Sequence, residues 1–135
     1  MKPIPYNSAD PIKTQVLSSC QKSLTNLGTT YVDSYLLHSP FPALDQTLEA
    51  WKALAQLQDE GKVKLIGVSN TYDVRILAAL DKARKVQVVQ NRWHEGNDWD
   101  KKVLNYCKEN RIMYQSVLNT PVFLCEKVYS ATPAL

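Results

Sequence analysis

Gly61-Lys-Val-Lys-Leu-Ile-Gly-Val-Ser-Asn70 is a glycine turn, an apolar run and a polar stop. From Val63 to Val68 the apolar residues follow one another with little alternation, Lys64 excepted, which is the pattern of a strand covered on both faces. Such a strand belongs inside a sheet flanked by helices. Ahead of it, Leu48, Trp51, Leu54, Ala55 and Leu57 recur at helical spacing, from a start near Ala43 to Asp45 to a stop at Gly61. Behind it, Thr71 reads as the N-cap of a helix whose inner face is Val74, Leu77 and Ala78.

The same alternation extends in both directions. Asp10-Pro11 reads as an N-cap followed by proline at the first helical position, then Val16, Leu17, Cys20, Leu24 and Leu27 keep one helical face apolar up to Gly28. Tyr31 to Leu37 is a strand rich in aromatic and branched residues, broken by Ser39-Pro-Phe-Pro42. Downstream, Val86 to Gln90 is a strand and residues 91–97 a polar loop holding Trp93 and His94. Asp98 or Asp100 opens a helix with Val103, Leu104 and Cys107 inward, and Ile112 to Val117 is the last strand. Helix and strand in strict alternation predict an α/β fold with a parallel sheet and right-handed crossovers. Two architectures compete: an open doubly wound sheet, or part of a (β/α)₈ barrel, which needs about 250 residues and so could be only about half present here. Spacing alone does not choose between them. Residues 1–135 are expected to form one domain, with 1–9 a lead-in and 120–135 a tail of no clear period.

Composition excludes several functions. Charged residues make up 21% and the net charge of +3 is dispersed among acids, so neither nucleic acid nor a membrane surface is an expected partner. Cys20, Cys107 and Cys125 are odd in number and far apart, which fits neither a disulfide framework nor a zinc site. With no apolar leader and no membrane-length apolar run, a cytoplasmic location is expected.

The chemistry gathers at one edge. His38 follows the first strand, Ser69-Asn70 the second, and Gln90 ends the third, so all lie at carboxyl ends of consecutive parallel strands, where α/β folds form their ligand sites. Neutral hydrogen-bonding groups of this kind suit a carbonyl and a carboxamide rather than a phosphate, which would call for Arg, Lys or a glycine-rich nest. A neutral imidazole in that set can donate to a substrate oxygen on which negative charge develops. Each residue also has a purely structural reading: a hydrogen-bonded strand-end histidine, a Ser-Asn-Thr turn into a helix, a satisfied glutamine. Their coincidence on one edge favours a site.

Thr29-Thr-Tyr-Val-Asp-Ser-Tyr-Leu-Leu-His-Ser-Pro40 is similar to the aldo-keto reductase segment in which a Tyr-Val/Ile-Asp strand ends in the catalytic histidine. Ala50-Trp51, the run from Asp59 to Asn70, and Val88-Val-Gln-Asn-Arg-Trp-His94 resemble further segments of that family, in the same order and at similar spacing, over residues 10 to 117. The resemblance implies a partial (β/α)₈ TIM barrel of about four parallel strands. It implies an NADPH-dependent oxidoreductase acting on a small aldehyde or ketone. By position, His38 would orient the substrate carbonyl, while Ser69, Asn70 and Gln90 would hold the nicotinamide carboxamide.

The departures are equally specific. The family's catalytic Tyr, Asp and Lys sit on strands expected before Asp10 and have no counterpart here, and Tyr6 is not a replacement. The aromatic residue that stacks on nicotinamide aligns with Val117, and the basic loop that grips the 2′-phosphate has no match. The chain therefore reads as a relative truncated at both ends, weak or inactive in isolation. The alternative is a non-catalytic relative acting through self-association at exposed sheet edges or through a partner chain. A third reading is a fragment with no selected function.

Overall fold

The structure, a computed structural model, describes residues 9–117. The lead-in up to residue 8, the tail and Cys125 lie outside the described residues. In chain order the elements are α1 (Ile12–Leu27), β1 (Val32–Leu37), α2 (Leu44–Asp59), β2 (Val63–Ser69), α3 (Val74–Ala83) and β3 (Val88–Arg92). A 3₁₀ segment (Glu95–Asp100), α4 (Lys101–Glu109) and β4 (Met113–Val117) complete the series. The four strands form one parallel sheet in the order β1-β2-β3-β4. A doubly wound sheet reverses its strand order at a switch point. None occurs among these four strands, whose order is the one expected of an arc of a barrel.

Register assigns the faces. Tyr35 lies opposite Ile66, Leu37 opposite Val68, and Val68 opposite Val89. Tyr35, Ile66, Val68 and Val89 share a buried core with Trp51, Leu54, Leu77, Leu80 and Val103 from the helices. The other face carries Leu36, Gly67, Val88 and Met113 in one layer and Ser69, Gln90 and Gln115 in the next. Met113 and Val117 on that face are exposed. Burying a large apolar side chain stabilises by about 1.5–3 kcal/mol, so the helix-facing layer dominates the stability of this arc.

Trp51 anchors α2 to α3. It is fully buried, and its indole Nε1 donates to the Leu80 carbonyl at 3.0 Å and the Arg84 carbonyl at 3.1 Å, both at the end of α3. A buried indole N–H without partners would cost about 1–3 kcal/mol; the Arg84 carbonyl ends the helix and is available to accept, and the Leu80 carbonyl takes the indole on its second lone pair beside the Arg84 amide. Gly67 sets the spacing on the opposite face. A methyl group there would collide with the Val88 carbonyl oxygen and come within 2.7 Å of Leu36 Cδ2 and Val88 Cβ.

Several local expectations need correction. α1 begins at Ile12, with Pro11 and not Asp10 in the cap position. Leu27 is exposed because it falls in the last turn, beyond the reach of α2, and Val16 and Leu17 are only half-buried. Gly28 does end the helix, in the left-handed region at φ 65. Tyr31 stays outside β1, exposed, with the Lys64 ammonium 4.5 Å over its ring. The N-cap of α3 is Asp73, whose carboxylate accepts from Arg75 N, and not Thr71. The inner face of α3 is Leu77 and Leu80, with Val74 and Ala78 half-buried. β3 starts two residues later than expected and runs past Gln90 to Arg92.

Candidate functional site

The four candidate residues meet at the carboxyl edge of β1, β2 and β3 through direct hydrogen bonds. Ser69 is the last residue of β2, opposite Gln90. Its hydroxyl donates to the Gln90 carbonyl at 2.8 Å, and the Asn70 amide donates to the same carbonyl at 3.1 Å. Asn70 then turns into the left-handed region at φ 50, a conformation that asparagine tolerates better than most residues. That turn sends its Nδ2 across β1 to the His38 carbonyl at 2.8 Å. Gln90 Nε2 donates to Gln115 Oε1 at 3.0 Å, bringing β4 into the set. Gln115 is a member that sequence reasoning missed; its place two residues before Val117, on the face of Gln90, was the available signal.

His38 follows β1 directly, where the backbone bends. Partial burial lowers the pKa of its imidazole below 6.5, so the ring is neutral at pH 7. It lines a cavity of about 500 Å³ between α1, the end of β1 and the Ser39–Pro42 segment, together with Tyr35, Leu37 and Phe41. The cavity walls are mainly apolar, and Tyr35 closes one side with its hydroxyl 2.9 Å from Ser19 Oγ.

Trp93 and His94 take no place in the hydrogen-bonded set. His94 caps the 3₁₀ segment, exchanging hydrogen bonds with Asn97. Trp93 is exposed, its ring centroid 4.5 Å from that of Trp99. Asp98, Trp99 and Asp100 all lie at positive φ, so the segment coils back before α4 opens at Lys101. Among the described residues no group of three or more His, Cys, Asp or Glu side chains is placed to hold a metal ion. Nor is any described helix long and apolar enough to cross a membrane.

The Aldo/keto reductase family profile matches residues 2–123. The chain belongs to that family. Methylglyoxal reductase DkgA of Escherichia coli is 52% identical over 48 residues, which is 36% of this chain and 18% of that protein. An aldo/keto reductase from Brucella melitensis superposes with a TM-score of 0.71 at 32% identity, covering 83% of this chain and 44% of the other. A variant of Gox0644 in complex with NADPH superposes with a TM-score of 0.66 at 28% identity, covering 76% and 38%. The chain thus spans less than half the length of these aldo-keto reductases. The barrel expected from the sequence is the architecture of these solved relatives, of which this chain matches a part.

Proposed function

We propose that this edge is the carbonyl-orienting and carboxamide-binding part of an NADPH-dependent aldehyde or ketone reductase site. The observation that carries the reading is the hydrogen-bonded linkage of His38, Asn70, Ser69 and Gln90 across three strands. The donor set fits a nicotinamide carboxamide. Asn70 and Gln90 each use one amide N–H internally, which leaves their amide oxygens to accept from a carboxamide NH₂ and a second N–H to donate to its oxygen. Ser69 keeps its lone pairs while its proton is held on Gln90. NADPH, bound there, would supply the hydride.

The chain's own contribution is orientation and polarisation. A neutral imidazole at His38 donates to the substrate oxygen as charge develops on it, without the desolvation cost of an imidazolium. The cavity that His38 also lines lies on the α1 side of β1, with none of Ser69, Asn70 or Gln90 in its walls, so the carbonyl compound would sit on the opposite face, beside Ser69 and Gln90. Proton delivery is a different matter. Residues 10–117 offer no match to the family's tyrosine acid, and loss of a general acid typically lowers rate by about 10²–10⁴. We therefore expect NADPH binding with weak turnover from the isolated chain. Fluorescence titration with NADPH, followed by NADPH oxidation with methylglyoxal and a panel of aldehydes, tests this. Absence of saturable binding at high micromolar cofactor would refute it.

A second reading is self-association. Among the described residues β1 and β4 each pair with a single strand, and Met113 and Val117 on β4 are exposed, which leaves unpaired edges that favour association. Sedimentation velocity decides: a strictly monomeric, well-folded chain excludes edge pairing.

A further inference from the structure

Behind the proposed site lies a buried polar group that the chemistry above does not use. The last rung between β2 and β3 is Ser69 opposite Gln90, after which the two backbones part. The next residue of β3, Asn91, spans the gap with its side chain. Its Oδ1 accepts from the Thr71 amide at 2.9 Å, and its Nδ2 donates to the Thr71 carbonyl at 2.7 Å. A side-chain carboxamide here does what another residue's backbone would do in the ladder. Thr71 is further tied by its own hydroxyl, which donates to the Ser69 carbonyl at 3.1 Å. Asn70, with its left-handed backbone, is thus held on both sides: by its own amide on Gln90, and by Asn91 gripping both backbone groups of the residue that follows.

The grip works in one orientation only. Turned by 180°, the Asn91 oxygen would face the Thr71 carbonyl and the NH₂ would face the Thr71 amide. Asp100 prevents that turn. Its Oδ2 accepts the second Nδ2 proton at 2.8 Å and also the Tyr114 hydroxyl proton at 2.8 Å, and a carboxylate can do nothing but accept. Asn91 and Thr71 are 1% exposed and Asp100 is 6% exposed, so the arrangement is dry and each member is satisfied. Burial and the Asp100 carboxylate also push the Tyr114 hydroxyl far above its ordinary pKa, which keeps it a donor throughout the working pH range. The three αL residues at positions 98–100 are the backbone cost of bringing Asp100 inward.

We propose that Asn91 is a positioning residue for the cofactor-binding turn, oriented by Asp100 and Tyr114, so that it fixes where the Asn70 carboxamide and the Ser69 hydroxyl stand. The inference rests on the reading that Ser69, Asn70 and Gln90 hold a carboxamide, and its test separates the two. Asn91→Leu keeps the volume and removes the grip; Asp100→Asn keeps an acceptor for both donors; Leu57→Ala, in the core at the opposite end of α2, serves as a destabilised control. Amide exchange by NMR on the full chain is the first readout. In Asn91→Leu the Asn70 and Thr71 amides should exchange at least about tenfold faster while Ile66 and Val68 keep the protection expected from global stability alone. NADPH affinity is the second: Asn91→Leu should lose about tenfold or more, well beyond Leu57→Ala at matched fraction folded, with Asp100→Asn in between. Unchanged exchange at Asn70 and Thr71 overturns the proposal. So does an affinity loss no larger than that of Leu57→Ala, because the role is then merely structural. If the unsubstituted chain binds no NADPH, the cofactor reading falls with the positioning role built on it, and the exchange data still show whether Asn91 holds the turn.

Discussion

Gly67→Ala is the substitution that couples fold and site most directly. Gly67 sits in the middle of β2, on the face away from the helices, between Leu36 of β1 and Val88 of β3. The Leu36 methyl could swing away from an added Cβ, but the Val88 carbonyl oxygen is backbone and cannot move without shifting β3. Overpacking of this kind costs about 1–3 kcal/mol where side chains can yield, and a backbone obstacle places the cost at the upper end, about 3 kcal/mol. For a chain of this size that corresponds to a fall in melting temperature of roughly 10 °C. The Ser69 to Gln90 hydrogen bond lies two residues along, so the displacement should also loosen the His38, Asn70 and Gln90 linkage. Thermal unfolding followed by circular dichroism measures the first effect, and exchange of the Asn70 amide the second. A melting temperature within about 2 °C of the unsubstituted chain would refute the packing argument, since it would show that β2 and β3 do not approach as closely as Gly67 allows.

Three further outcomes are expected. Trp51→Phe keeps most of the buried rings and loses the indole N–H shared by Leu80 and Arg84; because Leu80 O retains the Arg84 amide at 3.0 Å, the loss should be about 1–2 kcal/mol in urea denaturation, whereas Trp93→Phe should change nothing measurable. Gly28→Ala places a Cβ at φ 65, and with no steric neighbour the cost is backbone strain alone, about 1 kcal/mol by the same measurement. His38 has a folded-state pKa below its unfolded value of about 6.5, so the unfolded chain takes up the proton first. Its contribution to stability is complete above about pH 6.5 and is lost as pH falls from there through the folded pKa. The urea midpoint should accordingly decline with acidification in that window, and His38→Gln should flatten the decline; an identical pH profile for the two proteins would count against burial of the imidazole.

The succession of helices and strands was legible because its signals are local. Val63 to Val68 announces a doubly covered strand, Leu48 to Leu57 an amphipathic helix, Gly28 a helix stop. The edge on which His38, Ser69, Asn70 and Gln90 converge followed from topology, since parallel strands place their carboxyl ends together. Thr71 shows where local reading fails. Its position before an apolar helical run is that of an N-cap, but Asn91, twenty residues away in sequence, takes its backbone amide, and Asp73 takes over the capping. The turn through Asp98, Trp99 and Asp100 was equally hidden, because left-handed backbone is announced by glycine and none stands at these positions. What draws that segment inward is the Asp100 carboxylate, accepting from Asn91 and Tyr114 at separations no local pattern encodes.

The strand order has a kinetic consequence. Among the described residues every strand hydrogen-bonds only to strands adjacent to it along the chain, so each helix and strand pair closes its contacts over a few tens of residues, and the arc is a short linear array of similar units. Such an array can nucleate at its best-buried unit and grow outward without first closing a long loop. The unit around β2, holding Trp51, Leu54, Ile66 and Val68, is the expected origin, and β4, with both Met113 and Val117 exposed, should be the last to join and the first to leave. Gln115 and Tyr114 ride on that element, so amide exchange should find the β4 side of the candidate site open more often than the His38 side.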